Sequence, residues 1–144
     1  DYLRDRLEEL PGIVPHKLYP SVTKAAYHLF PFRYQQQEFK GLPREKFLEA
    51  LRAEGVPCSR GYEELNKRDL LRNVLDSPNF KKFYPKDRLN YKQYAAENEC
   101  PRNEKLCNEE AVWFTQNLLL GSRSDMDLIA LAIEKIHENA EKLK

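Results

Sequence analysis

Neither sign of charge is in excess in this sequence. Lys and Arg total 24 against 23 Asp and Glu, a formal net charge of +1. A nucleic-acid binder commonly carries a basic excess or stripe; none is evident, and no nucleic-acid partner is expected. No apolar run approaches the ~20 residues a membrane-spanning helix needs, so no membrane partner is expected either. Cysteine is scarce: Cys58, Cys100 and Cys107 are an odd number without a framework spacing. Free thiols in a reducing, cytoplasmic compartment are the expectation. No signal peptide opens the chain, and neither does a methionine. Asp1-Tyr2-Leu3-Arg4 is already helical in pattern, so the chain is expected to begin inside a longer protein.

What is present suits a folded domain. The 144 residues fit one domain spanning 1–144, long enough to bury a core without metals or disulfides. The apolar fraction of 41%, with seven Phe and eight Tyr, argues against disorder. Leu3, Leu7 and Leu10 share one face of a first helix over about 1–10, stopped by Pro11-Gly12. Ile13-Val14 suits a short edge strand. Residues 25–34 read as an aromatic strand, in which Pro31 implies an edge or a bulge. His28 within it could be catalytic, or a strand-face histidine satisfied by a neighbour. Pro43 to Glu54 is a helix with proline at its first position, Phe47, Leu48 and Leu51 on one side, and Gly55 to end it.

Residues 56–62 then form a third strand. Asn66, three before Asp69, reads as the cap of a following helix, Arg68 to Leu75. Residues 79–99 interleave Lys81, Lys82 and Lys86 with Phe80, Phe83 and Tyr84, a pattern that can bind single-stranded nucleic acid. Asp87, Glu97 and Glu99 dilute the charge, and a loop packing its rings onto the domain or a partner is the preferred reading. Pro101 to Glu110 suits a helix and Ala111 to Thr115 a buried strand, interrupted by Gln116-Asn117 as it emerges. A last helix starts at Ser124 with Asp127 three residues on. Its stripe of Met126, Ile129, Ile133, Ile136, Ala140 and Leu143 is core packing. The sum is a small α/β (α+β) domain. It has three or four mainly antiparallel strands, about five helices over one sheet face, and the other face left for a partner surface.

Three blocks, Tyr27 to Tyr34 (YHLFPFRY), Arg44 to Lys67 (REKFLEALRAEGVPCSRGYEELNK) and Cys100 to Ile136, occur in an order that resembles one family. They are similar to the C-terminal part of the DegT/DnrJ/StrS family of pyridoxal-phosphate-dependent sugar aminotransferases, whose fold is the type I aminotransferase fold. The third block, with VWFTQNLLLGSRSDMD, is most similar to members that aminate keto-sugars or keto-cyclitols. The resemblance implies a small domain that supplies substrate-side and homodimer contacts. It also implies that the Schiff-base lysine lies in a missing N-terminal large domain. Pyridoxal phosphate is therefore expected in the parent protein and not on this chain alone, which is expected to be inactive, with no catalytic residue and no metal ligand of its own.

In the family's HYxPLH turn, Tyr62 and Leu65 match, while Gly61 and Asn66 replace the two histidines. The substrate-side candidates are Arg60, Tyr62, Asn66, Gln116 and Asn117. Arg60 could hold a glutamine or glutamate carboxylate, or pair with Glu63 or Glu64 at the surface. Asn66 could contact a ligand or only cap its helix. The alternative to an aminotransferase domain is a free-standing, non-catalytic module that binds a sugar or a protein with the same sheet.

Overall fold

Aromatic alternation builds the sheet. In the computed structural model, which describes residues 1–144, β1 (Ile13–Pro15), β2 (Leu29–Tyr34), β3 (Ser59–Arg60) and β4 (Ala111–Thr115) are antiparallel, in the order β1-β2-β4-β3. Phe30, Phe32 and Tyr34 of β2 and Val112 and Phe114 of β4 are buried, whereas Pro31 and Arg33 are exposed. Because successive strand residues point to opposite faces, one face takes the whole core. Seven α-helices accompany the sheet: α1 (Tyr2–Glu8), α2 (Arg44–Ala53), α3 (Asp69–Asp76), α4 (Pro78–Phe83), α5 (Tyr91–Glu97), α6 (Pro101–Lys105) and α7 (Arg123–Glu138). None is long and apolar enough to cross a membrane. The chain divides into two compact units, Asp1–Gly61 with Asn108–Lys144, and Tyr62–Cys107.

The first unit holds the sheet, α1, α2 and α7. Leu3 and Leu7 of α1, Phe47, Leu48 and Leu51 of α2, and Met126, Ile129, Ile133 and Ile136 of α7 close over the aromatic face. Tyr34, fully buried, is the joint between sheet and helices. Its ring stacks on Phe47 at 4.5 Å and meets Phe39 at 4.8 Å, and its hydroxyl donates to the Leu42 carbonyl at 2.7 Å. Phe39 in turn sets its edge on His137 of α7 at 4.9 Å. Gly55 ends α2 in the left-handed region, φ 86°, as its position predicts.

Several local expectations are corrected. The aromatic strand begins at Leu29, so 25–28 lie outside it, and His28 is exposed with no neighbour satisfying it. Pro31 sits in a strand that lies inside the sheet, but at a position where β1 no longer pairs, so it occupies a local edge, without a bulge. It is tolerated because its carbonyl faces the β1 side and accepts from His16 Nδ1 at 3.1 Å. β1 pairs only as far as Pro15 with Phe32, so the missing N–H has no strand there to serve. Pro43 occupies the cap of α2, one place before its first residue. The third strand is only Ser59–Arg60. The last helix starts two residues earlier than its sequence signal: Ser122 and Asp125 form the capping box, and α7 begins at Arg123. Hydrogen bonds from Ser122 hold the Asp125 carboxyl below its ordinary value.

The second unit is helical where a loop was expected: α4, a 3-10 turn over Lys86–Leu89 and α5 fill 79–99. Ser77 caps α4, and Asn90 caps α5 by accepting from Lys92 and Gln93. No residue of 62–107 is buried, so the unit has no core of its own. Polar ties hold it: Lys67 bridges Glu104 at 2.7 Å and Glu64 at 3.4 Å, and the Arg72 guanidinium lies 4.7 Å over the Tyr91 ring.

Removing the buried hydroxyl in Tyr34→Phe leaves the Leu42 carbonyl unsatisfied, and chemical denaturation should show a loss of about 1–3 kcal/mol. Burial pushes the Cys58 thiol up to about 11, with Arg52 opposing. The folded state therefore keeps this proton longer than the unfolded state. That contribution to stability is complete below pH 9 and is lost as pH climbs toward 11. Alkylation at pH 8 should modify exposed Cys100 well before Cys58, as peptide mapping will read.

Candidate functional site

The five candidate residues fall at three places. Arg60 ends β3 opposite Val112 of β4. It is brought there because Pro57 and Val56 lead the chain off α2 and Gly61 lets it pass close to β4. The Gly61 N–H donates to the Ala111 carbonyl at 3.3 Å, and a Cβ on Gly61 would stand 2.7 Å from the Ala111 Cβ. A histidine at this position, as the HYxPLH turn has, would not fit the backbone seen here. Gln116 and Asn117 lie past the other end of β4, in a 3-10 turn over Gln116–Leu120. The two ends are separated by four residues of strand, roughly 14 Å at ~3.4 Å per residue. Arg60 and the two amides are therefore not one constellation. Gln116 is exposed, and Asn117 accepts a hydrogen bond from the Thr115 hydroxyl.

Two other arginines contact residues at the start of β4. Arg33, paired with Ala111 across β2 and β4, reaches the Glu110 carboxylate at 2.7 Å. That contact holds the Arg33 guanidinium above its ordinary value. Arg44, at the first residue of α2, is buried and donates to the Ala111 carbonyl at 3.3 Å. Arg60 is exposed and has no ion pair. The register sets Arg33 opposite Ala111 and Arg60 opposite Val112, and because successive strand residues point to opposite faces, the two side chains leave the sheet on different faces. Sequence reading found Arg60 but missed the ion pair of Arg33 with Glu110 and the contact of Arg44 with Ala111, which the fold alone brings about.

Tyr62 and Asn66 belong to the second unit. Tyr62 is exposed, and Glu63 and Glu64 take Arg68 and Lys67 as partners, at 3.5 and 3.4 Å. Asn66 does not cap a helix. It sits within a 3-10 turn, α3 starts after Arg68 without a side-chain cap, and the Asn66 amide donates to the Asn98 carbonyl at 2.8 Å. That bond sets Asn66 at the rim of a cleft of about 500 Å³, lined by Lys67, Tyr91, Ala95, Glu99 and Glu104 among others. Sequence reading missed this cleft because 79–99 gave no clear periodicity. Asn90 followed by Tyr91, Tyr94 and Ala95 was the available signal for the helix that forms one wall.

Neither unit fits pyridoxal phosphate. The cofactor's lysine must be desolvated against the ring, and every lysine here is exposed; the buried charged residues are Arg44 and Glu110. No group of three or more His, Cys, Asp or Glu stands together to hold a metal ion.

A scan against protein-family models gives no match. Curated relatives do match. A protein of Streptoalloteichus tenebrarius named as an L-glutamine:3-amino-2,3-dideoxy-scyllo-inosose aminotransferase is 30% identical over 128 residues, covering 87% of this chain and 30% of that protein. The Micromonospora echinospora protein of the same name is 28% identical over 100% of this chain and 34% of its own length. The L-glutamine:scyllo-inosose aminotransferase of Streptomyces griseus is 27% identical over 99% of this chain and 32% of its own length. Over nearly its whole length the chain is thus similar to one portion of these aminotransferases. It spans about a third of the length of the relatives it matches.

Because no lysine is desolvated, adding pyridoxal phosphate to the 144-residue chain should give only weak, scattered adducts after borohydride reduction. A stable absorbance band that maps to one lysine would contradict this reading of the chain.

Proposed function

We propose that residues 1–144 act as the C-terminal small domain of a pyridoxal-phosphate-dependent aminotransferase that aminates a keto-cyclitol or keto-sugar. The observation that carries the proposal is the match of nearly the whole chain to one third of several aminotransferases named for scyllo-inosose substrates. The antiparallel sheet with helices over one face agrees with that reading. In the proposal the N-terminal large domain holds the cofactor and its lysine, the parent protein is a homodimer, and this chain contributes the substrate side.

The chemistry assigned to the chain is binding and orientation. Arg60 takes the carboxylate of the glutamine or glutamate donor in two parallel hydrogen bonds. Tyr62 and Asn66, and separately Gln116 and Asn117 at the far end of β4, are the remaining candidates for contact with the acceptor. None of these groups transfers the amine.

In the native protein, Arg60→Ala should raise the KM of the amino donor about tenfold with kcat within about twofold, and Arg60→Lys should restore only part of the loss. Steady-state kinetics with glutamine and scyllo-inosose test this. An unchanged donor KM removes Arg60 from the site, and the absence of any transfer by the native protein removes the function itself.

A further inference from the structure

The second unit lacks the means to stand by itself. Its four helices, α3 to α6, span eight, six, seven and five residues, and isolated helices shorter than ~12–15 residues are marginal in water. Packing must therefore supply their stability, yet no residue of 62–107 is buried. More than half of the chain's exposed large apolar side chains fall in this unit, which is under a third of its length. They concentrate on α4 and its end. Phe80, Phe83 and Tyr84 follow one another at spacings of three and four, which gathers them on one side. Phe80 and Tyr84 stack at 5.3 Å, and Phe83 is 75% exposed. Every residue from 78 to 88 is exposed. Around these rings the charge is of one sign: Lys81, Lys82, Lys86, Arg88 and Lys92 stand against Asp87 alone. Lys86, Arg88 and Lys92 have no ion pair.

We infer that this aromatic, cationic face of α4 packs against an acidic surface in the N-terminal portion of the same polypeptide, and that the second unit keeps its fold through that contact. A face that must be covered for its helices to persist needs an occupant that is always present, which a membrane surface or a nucleic acid is not. A second copy of the same face would set five cations against five, an isologous contact that like charge opposes. A segment of the same polypeptide meets both demands, because the tether holds it at high effective concentration. The curated relatives offer such a segment: they match this chain through 62–107 and are about three times its length. The inference rests on the aminotransferase reading for the presence of that N-terminal portion, and it adds which surface of the chain meets it.

Carbodiimide cross-linking and hydrogen exchange of the native protein test this. Lys81, Lys82, Lys86 or Lys92 should join Asp or Glu side chains that precede Asp1, in peptides recovered from the single-polypeptide band of a denaturing gel. Amides of 78–88 should exchange at least about tenfold more slowly than an unstructured chain. Phe83→Asp should speed exchange across 69–97 at least about tenfold and leave α7 unchanged. The paired charge reversal Lys82→Glu with Lys86→Glu should act in the same direction, and it serves as the readout should Phe83→Asp not fold. Exchange of 78–88 at the unstructured rate, links confined to residues 1–144, or links found only in a band of twice the mass would overturn the inference. Neither readout needs activity. Transfer by a protein whose α4 face is solvated removes the docking surface alone, and a covered face in a protein without transfer removes only the aminotransferase reading.

Discussion

The β2–β4 pairing is the constraint from which the first unit follows. Five residues of each strand register with one another, Leu29 with Thr115 through Arg33 with Ala111. A slip of one residue would turn Phe30, Phe32 and Phe114 from the core to the open face. The same register fixes where charge accumulates. With Phe30, Phe32 and Tyr34 inward, Arg33 must point outward, and it lands beside Glu110 at the start of β4. Core packing and the Arg33–Glu110 ion pair are thus two consequences of one alignment.

The two units are stabilised by different means. Burial of aromatic and branched apolar side chains sustains the first, at roughly 1.5–3 kcal/mol for each large side chain fully removed from water. The second buries no residue and depends on helix caps, ion pairs and cation–π contact. Exposed ion pairs contribute little apiece.

Much of the first unit was legible in the sequence because its signals are strong and agree. Leu3, Leu7 and Leu10, the Phe47-Leu48-Leu51 side of α2, and the Met126 to Ala140 stripe of α7 are all buried as their spacing predicts. The misreadings have identifiable causes. Pro31 marks a local edge, where β1 stops short of it, and sequence could not show that the rest of β2 lies inside the sheet. Ser124 with Asp127 imitated a capping box two residues beyond the true one at Ser122 and Asp125. Residues 79–99 looked like a loop because their helices are short and their rings stay exposed, which removes the buried-face periodicity. At the candidate site, Arg60 and Asn66 were found as residue types in a suggestive turn. The surroundings of Asn66, among them Tyr91 and Asn98, lie far away in sequence and are brought to it only by helix packing.

The central claim is that this chain binds and orients while another segment of the same protein holds the cofactor. Borohydride reduction of the native protein, followed by intact mass and peptide mapping, tests it most directly. The account predicts a native mass about three times the 17.0 kDa of these 144 residues and a single pyridoxyl-lysine outside them. A pyridoxyl group mapped to any lysine between Lys17 and Lys144, or a native protein of 17.0 kDa, would contradict it.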